Sequence, residues 1–343
     1  MNCSNANYAD DQEIMLSICV VSYNHEAYIR ECLDRILEQE MDFSYEIMVG
    51  NDCSTDGTAR VLEEYRDKIE IVNRPENLGL CNNLYDLFLR AKGKYVFNFS
   101  GDDYLYDSKA LQKQIDFLEN HPEYYAVSAW NYMYKESEGK IYANYDESCP
   151  TEFTLEDFLR EASILTTHGV MRNTYAADRE RNQFLIQGAR NNEEMKMWFY
   201  TLSKGKRYIM HEYFHVYRNV DKAGMSNYNS MHTLVDMFRD NYGDLCILRD
   251  QFGKRYNFTP AIMKRSNYYC IKMSDNMKNF IAFAKVMQLR DLIMLLGYKC
   301  YLVMHRHNDP PKWKERKYLI LDKGYFGDNG FADRINNLDI TER

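Results

Sequence analysis

Short apolar runs alternate with helical patterns through the first hundred residues, and each of several runs breaks into a polar cluster. Leu16 to Val21 reads as a buried strand that ends at Ser22-Tyr23-Asn24. Glu26 to Gln39 follows, with Ile29, Leu33, Ile36 and Leu37 at helical spacing. Tyr45 to Val49 reads as a second strand stopped by Asn51-Asp52. Ser54-Thr55-Asp56-Gly57-Thr58 reads as a turn and cap leading into a helix over Ala59 to Arg66. Ile69 to Val72 is a third strand and Leu80 to Ala91 a helix closed by Gly93. Tyr95 to Phe99 is a fourth strand, running into Ser100-Gly101-Asp102-Asp103. This rhythm predicts an α/β chain with a Rossmann-like, mainly parallel sheet and helices on both faces. In such sheets ligands bind at the carboxyl ends of the strands, where these polar clusters fall.

The pattern changes after Asp103. A helix is expected over Lys109 to Glu119, an aromatic strand over Tyr124 to Tyr134 and a helix over Leu155 to Glu161. A strand at Gly169 to Arg172 and a helix over Glu193 to Ser203 come next. Beyond Tyr228 the spacing is mainly helical: His232 to Arg249, Ala261 to Lys272, and Met277 to Met304 with a break. Asp309-Pro310-Pro311 ends that run, and the last twenty or so residues read as a loose tail.

With 343 residues the chain exceeds one small domain. Its net charge of -8 argues against general affinity for nucleic acid. Charge is uneven, because Pro260 to Ile320 holds 12 Lys or Arg against 4 Asp or Glu. Nine cysteines without CxxC pairs, many in apolar runs such as those around Cys19 and Cys270, read as reduced thiols of a cytoplasmic protein. The polar, acidic first residues do not read as a secretory signal. Even the most apolar stretch, Ile281 to Met304, is interrupted by Lys285, Arg290, Asp291 and Lys299, so no spanning helix is expected.

Asp102 and Asp103, behind a glycine at a strand end, supply the oxygen ligands that Mg2+ or Mn2+ requires. A solvated Gly-Asp-Asp turn would read the same way. Asp52 can accept hydrogen bonds from a base or ribose, or be an ordinary loop aspartate. Asp56 reads as a cap. Tyr23 can lie on a base face, although 29 tyrosines make packing the common role.

Taken together, five segments carry more information than any one. They are Val20-Val21-Ser22-Tyr23-Asn24, Asn51 to Thr58, Asn77-Leu78-Gly79, Ala91-Lys92-Gly93-Lys94-Tyr95 and Ser100-Gly101-Asp102-Asp103-Tyr104. In this order the chain resembles the family 2 glycosyltransferases, the inverting enzymes of the GT-A fold. The resemblance is strong over Leu16 to Tyr134, weaker to about Ser226 and absent beyond. It implies a polar tail over 1–13 and a catalytic domain over 14–228, with a nucleotide-binding half at 14–105 and an acceptor half at 106–228. A helical region over 229–343 would follow.

By the same resemblance, Ser22, Tyr23 and Asn24 would line the nucleotide pocket and Asp52 would contact the base. Asp102 and Asp103 would hold the ribose-diphosphate and a divalent metal, Mn2+ or Mg2+, with Asp103 favoured as the direct ligand. Ser100 stands where many members carry an acid. Glu194, counted back from Trp198 and Gly205, takes the place of the family's base, usually an aspartate, with Glu193 beside it. Arg218, in a Tyr-Arg segment before Ser226, would pair with the diphosphate. His211 and His215 read as packed histidines or a third metal ligand, and His168 as lining the acceptor side. The expected partners are a nucleotide-diphosphate sugar, most simply a UDP-sugar, and a saccharide or lipid-linked saccharide acceptor.

The basic stretch over 260–320 also holds Tyr268, Tyr269, Phe280, Phe283, Tyr298, Tyr301 and Trp313. That composition suits peripheral contact with the inner face of a membrane, or helices packed on the catalytic domain with solvated lysines. The lack of GxGxxG and GxxxxGK[ST] removes dinucleotide and P-loop readings, and no Gly-rich loop supports a nucleotidyltransferase. A non-catalytic nucleotide-sugar binding protein on the same fold is the alternative reading.

Overall fold

Strand β1 (Leu16–Ser22) sits between β2 (Tyr45–Asn51) and β4 (Tyr95–Ser100), and β3 (Glu70–Asn73) lies outside β2, all four parallel. These are the four predicted apolar runs. The computed structural model describes residues 13–143, 149–161, 168–189, 194–220, 233–274, 276–304 and 318–322. Every residue of β1 is buried, and its side chains alternate between two cores. Leu16, Ile18 and Val20 enter one core with α1 (Ile29–Leu37) and α4 (Ala110–Asn120). Cys19 and Val21 enter the other with α3 (Leu80–Arg90) and α6 (Glu194–Lys204). A strand covered on both faces needs no polar alternation, which is why it reads as an unbroken apolar run.

Helix α1 buries Ile29, Cys32, Leu33 and Ile36. Each buried Ile or Leu contributes about 1.5–3 kcal/mol. It starts later than the spacing suggests, because the residues before it are held elsewhere. The backbone N–H of His25 donates to Thr58 Oγ1 at 2.8 Å and that of Glu26 to Asp56 Oδ2 at 3.1 Å. Thr58 itself opens α2 (Thr58–Glu63).

Beyond β4 the sheet becomes mixed. β9 (Gly169–Arg172) runs antiparallel between β4 and β6 (Tyr124–Lys135). β10 (Lys206–Asn219) runs parallel to β6, a 14-residue strand that no period in the sequence marks. Its register shifts between Met210, Tyr213 and His215, which destroys the two-residue alternation. Short β5 (Tyr104–Leu105) and β8 (Glu152–Phe153) pair with β10. β7 (Lys140–Ala143) pairs antiparallel with β6, and β11 (Tyr318–Asp322) pairs with β7, so a strand lies within the stretch read as helical.

The C-terminal helices α7 (Leu234–Phe252), α8 (Thr259–Met273), α9 (Met277–Val286) and α10 (Leu289–Met304) fall near the predicted spans. Trp198 and Phe199 of α6 share a core with Phe238 and Leu245 of α7 and Ile262 of α8. α5 (Leu155–Glu161) adds Phe158. Inside this core Lys196 Nζ lies 3.2 Å from Asp244 Oδ1, with both side chains 0% exposed. Lys196 also donates to the Gln187 carbonyl. Among the described residues no helix is long and apolar enough to cross a membrane.

Removing one partner of a fully buried pair leaves an uncompensated charge, so Lys196→Met should lower unfolding stability by about 3–5 kcal/mol. The double variant Lys196→Met/Asp244→Leu should recover most of that loss. Urea denaturation of both variants is the check.

Candidate active site

Three adjacent strand ends build the site. Ser22 of β1 is in register with Asn51 of β2, and Val21 with Ser100 of β4. The loops leaving β1 and β2 are stitched together: Asp52 N–H donates to the Ser22 carbonyl at 2.9 Å, and Asn24 Oδ1 accepts from Thr55 N–H at 2.8 Å. Asn24 and Cys53 take left-handed φ of 56° and 60°, conformations that non-glycine residues adopt at a cost of roughly 1–3 kcal/mol. Ser22 is 2% exposed and its hydroxyl has no hydrogen bond among the described residues, while Tyr23 and Asn24 are partly exposed.

Asp52 is buried, and its carboxylate closes a turn. Leu78 N–H donates to Oδ1 at 2.7 Å and Gly79 N–H to Oδ2 at 2.9 Å, at the start of α3. Gly79 has φ 82°, the left-handed region that glycine enters without strain. The predicted Asn77-Leu78-Gly79 segment is thereby fastened to the β2 end.

Asp103 is 1% exposed and joins three parts of the chain. Its Oδ2 lies 3.0 Å from His168 Nε2, and its Oδ1 accepts from Arg218 N–H at 2.8 Å. His168 arrives there because antiparallel β9 begins beside the end of β4, and its Nδ1 lies 3.2 Å from the Asn98 carbonyl. Pairing of Val216 with Tyr104 brings Arg218. Burial, reinforced by Asp102, pushes the Asp103 carboxyl up to about 6, against the pull of His168.

Asp102 is 6% exposed, and Ser100 donates its hydroxyl to Oδ1. Its Oδ2 is 3.9 Å from Nε2 of His25, a 1% exposed imidazole whose ring nitrogens have no hydrogen bond among the described residues. Burial lowers the His25 pKa, keeping the ring neutral and a potential ligand. Gly101 permits this approach, since a Cβ there would sit 2.8 Å from His25 Nδ1 and from Ile29 Cδ1. Both oxygens of Asp103 are engaged within the protein, and Asp102 lies beside the neutral His25 ring, so these three side chains are the groups here that could hold a cation. Among the described residues no three His, Cys, Asp or Glu groups form a cation site by themselves. A divalent cation there would need further oxygen ligands from phosphate or water.

The Arg218 guanidinium pairs with Glu31 and lies 5.2 Å from the Tyr28 ring and 4.9 Å from the Tyr104 ring. Tyr104 stands in the segment quoted from the sequence, whereas Glu31 and Tyr28 carry no signal there that marks them. Glu194 opens α6, and burial raises its pKa while Arg265 and His168 oppose the rise. His168 is thus an electrostatic neighbour of both Asp103 and Glu194. His215 is buried and kept neutral, its ring centroid 5.1 Å from that of His168. His211 stacks on Trp130 at 4.5 Å. Glu193 and Ser226 lie outside the described residues.

The family model for glycosyl transferase family 2 matches residues 17–210, more than half of the chain. The chain belongs to glycosyl transferase family 2. The match includes every strand-end residue of the site and Glu194, whereas His215, Arg218 and the C-terminal helices lie beyond it. An uncharacterized protein of Mycobacterium tuberculosis is 39% identical over 112 residues, 32% of this chain and 32% of that protein. The chain thus matches about a third of that relative's length. TuaG of Bacillus subtilis, whose name carries a proposed role as a teichuronic acid biosynthesis glycosyltransferase, is 26% identical over 224 residues, 62% of this chain and 82% of TuaG. The crystal structure of Staphylococcus aureus TarS 1–349 in complex with UDP-GlcNAc superposes with a TM-score of 0.61 at 16% identity, covering 91% of this chain and 98% of that one. That likeness establishes the shared fold, including helices beyond the family match.

Asp52→Ala would strand two backbone donors in a buried turn and should cost about 1–3 kcal/mol of stability. Asp52→Asn, which keeps one acceptor, should fall between that variant and the wild type. Urea denaturation without nucleotide measures this structural role separately from any contact with a base.

Proposed function

We propose that this family member is an inverting glycosyltransferase that moves a sugar from a UDP-sugar to a hydroxyl of a saccharide or lipid-linked saccharide, in surface polysaccharide or glycan synthesis. The observation that carries this reading is the convergence of two acidic sites on His168: Asp103 by direct contact and Glu194 by electrostatic proximity. An inverting transfer needs two acidic sites, one carboxylate at the acceptor and another at the leaving group. The donor class draws on TarS, whose structure holds UDP-GlcNAc.

In this reading Ser22, Tyr23, Asn24 and Asp52 form the nucleoside wall, with the stitched loops fixing its shape. A divalent cation, Mn2+ or Mg2+, held by Asp102 and His25 with Asp103 behind, would neutralise charge developing on the departing diphosphate. Arg218 exchanges Glu31 for phosphate oxygens, a bidentate partner of the same geometry. The Glu194 carboxylate takes the acceptor hydroxyl's proton as that oxygen bonds to the anomeric carbon. On the opposite face the bond to the diphosphate oxygen breaks, and its electron pair leaves with UDP. Glu193 would flank the base. The chemistry belongs on the cytoplasmic side, where nucleotide sugars are made.

Because the base must be ionised, activity should fall as pH drops through the Glu194 pKa, which lies above the usual glutamate range. Glu194→Gln should lower kcat on the order of a hundredfold or more and leave UDP affinity intact. Asp102→Ala should abolish metal-dependent UDP release from UDP-sugars. Ser100, where many members have an acid, favours a second reading as a nucleotide-sugar binder. Tight UDP binding without turnover of any donor, with or without acceptor, would decide for that reading.

A further inference from the structure

The outermost C-terminal helices leave large aliphatic side chains in solvent. Ile271 at the end of α8 is 55% exposed, Met277 and Ile281 of α9 are 71% and 49%, and Leu289, Ile293 and Leu296 of α10 are 73%, 61% and 59%. The spacings of three and four residues put each set on one side of its helix. The opposite sides are anchored, since Phe283 of α9 and Leu295 of α10 are buried in the core that holds Phe238 and Tyr269. Both apolar stripes therefore point away from the body of the protein. Surfaces that remain in water rarely gather so many large aliphatic groups.

The charge around these stripes has one sign. α9 carries Lys278 and Lys285 and no acid, and α10 carries Arg290 and Lys299. The acid of α10, Asp291, is 2% exposed and bonded to Tyr242 and Arg249. A net charge of -8 on the whole chain makes this concentration of cations stand apart. Two copies of the face would oppose like charges, which disfavours self-association. Aliphatic side chains ringed by cations match an anionic bilayer, whose headgroups attract Lys and Arg while the acyl boundary accepts Leu, Ile and Met.

We propose that α9, α10 and the end of α8 form a docking face for an anionic lipid bilayer. The inserting groups are aliphatic and not the aromatics that the composition of 260–320 suggested. Tyr269 and Phe283 are core residues, Tyr268 is 41% exposed, and Trp313 lies outside the described residues. The assignment is independent of the catalytic roles given to Asp102 and Glu194.

The test floats the full-length protein with vesicles of phosphatidylcholine alone or of phosphatidylcholine with phosphatidylglycerol, at low and high salt. Wild type should float with the anionic vesicles and detach as salt rises. Leu289→Glu/Ile293→Glu and Lys278→Gln/Lys285→Gln should each weaken partitioning on the order of tenfold, with melting temperatures unchanged because these side chains are in solvent. Absence of wild-type flotation at low salt overturns the proposal, as does equal flotation of wild type and both variants. A wild-type dimer that Leu289→Glu/Ile293→Glu splits, without flotation, assigns the face to a second copy and also overturns it.

Discussion

The buried carboxylate of Asp103 ties three strand ends together. Its partners, His168 and Arg218, lie 65 and 115 residues away in sequence, so one side chain fixes the exits of β4 and β10 and the entry to β9. Because the Asn98 carbonyl can only accept, His168 Nδ1 carries a proton toward it. The bond between Nε2 and Asp103 then requires a further proton shared by the two groups. The upward shift of Asp103 has the same origin: burial and the adjacent carboxylate disfavour a bare charge. With that proton shared, the His168–Asp103 pair is close to neutral. The two aspartates thereby sit in different surroundings, Asp103 held by His168 and Arg218 and Asp102 accepting from Ser100 beside His25.

This difference was not legible from the sequence. Adjacent aspartates behind a glycine look equivalent, and only the residues that fold against them tell them apart. Ser100 is similar: as a departure from the family pattern it suggested a shortened motif, yet its hydroxyl orients Asp102. Asp52 was noted for a nucleoside contact, and both of its oxygens also accept from the turn into α3. Residues quoted for chemistry can be structural as well, because a strand-end loop must satisfy its own backbone groups before it can hold a ligand.

The elements themselves were legible to very different degrees. β1, β2 and β4 announced themselves because burial on both faces removes polar alternation. The C-terminal helices were visible because apolar residues recur at helical spacing, as Val235, Phe238, Tyr242 and Leu245 do in α7. β10 was hidden because its bulges break every period, yet it delivers Arg218 and His215 to the site. A strand that bends to reach an active site is the kind that simple periodicity misses.

The C-terminal helices are mechanically coupled to the start of α6. Helix α6 starts with Glu194, and two residues later Lys196 is locked to Asp244 of α7 in a dry core. Lys196 also fixes the Gln187 carbonyl, just before the segment that leads into α6. α7 and α8 continue into the core that anchors α9 and α10. Packing at this density resists gradual deformation, so the outer face of α9 and α10 and the carboxylate of Glu194 keep a fixed relative orientation. A partner that held that outer face would therefore also hold the start of α6, and Glu194 with it, in a fixed orientation.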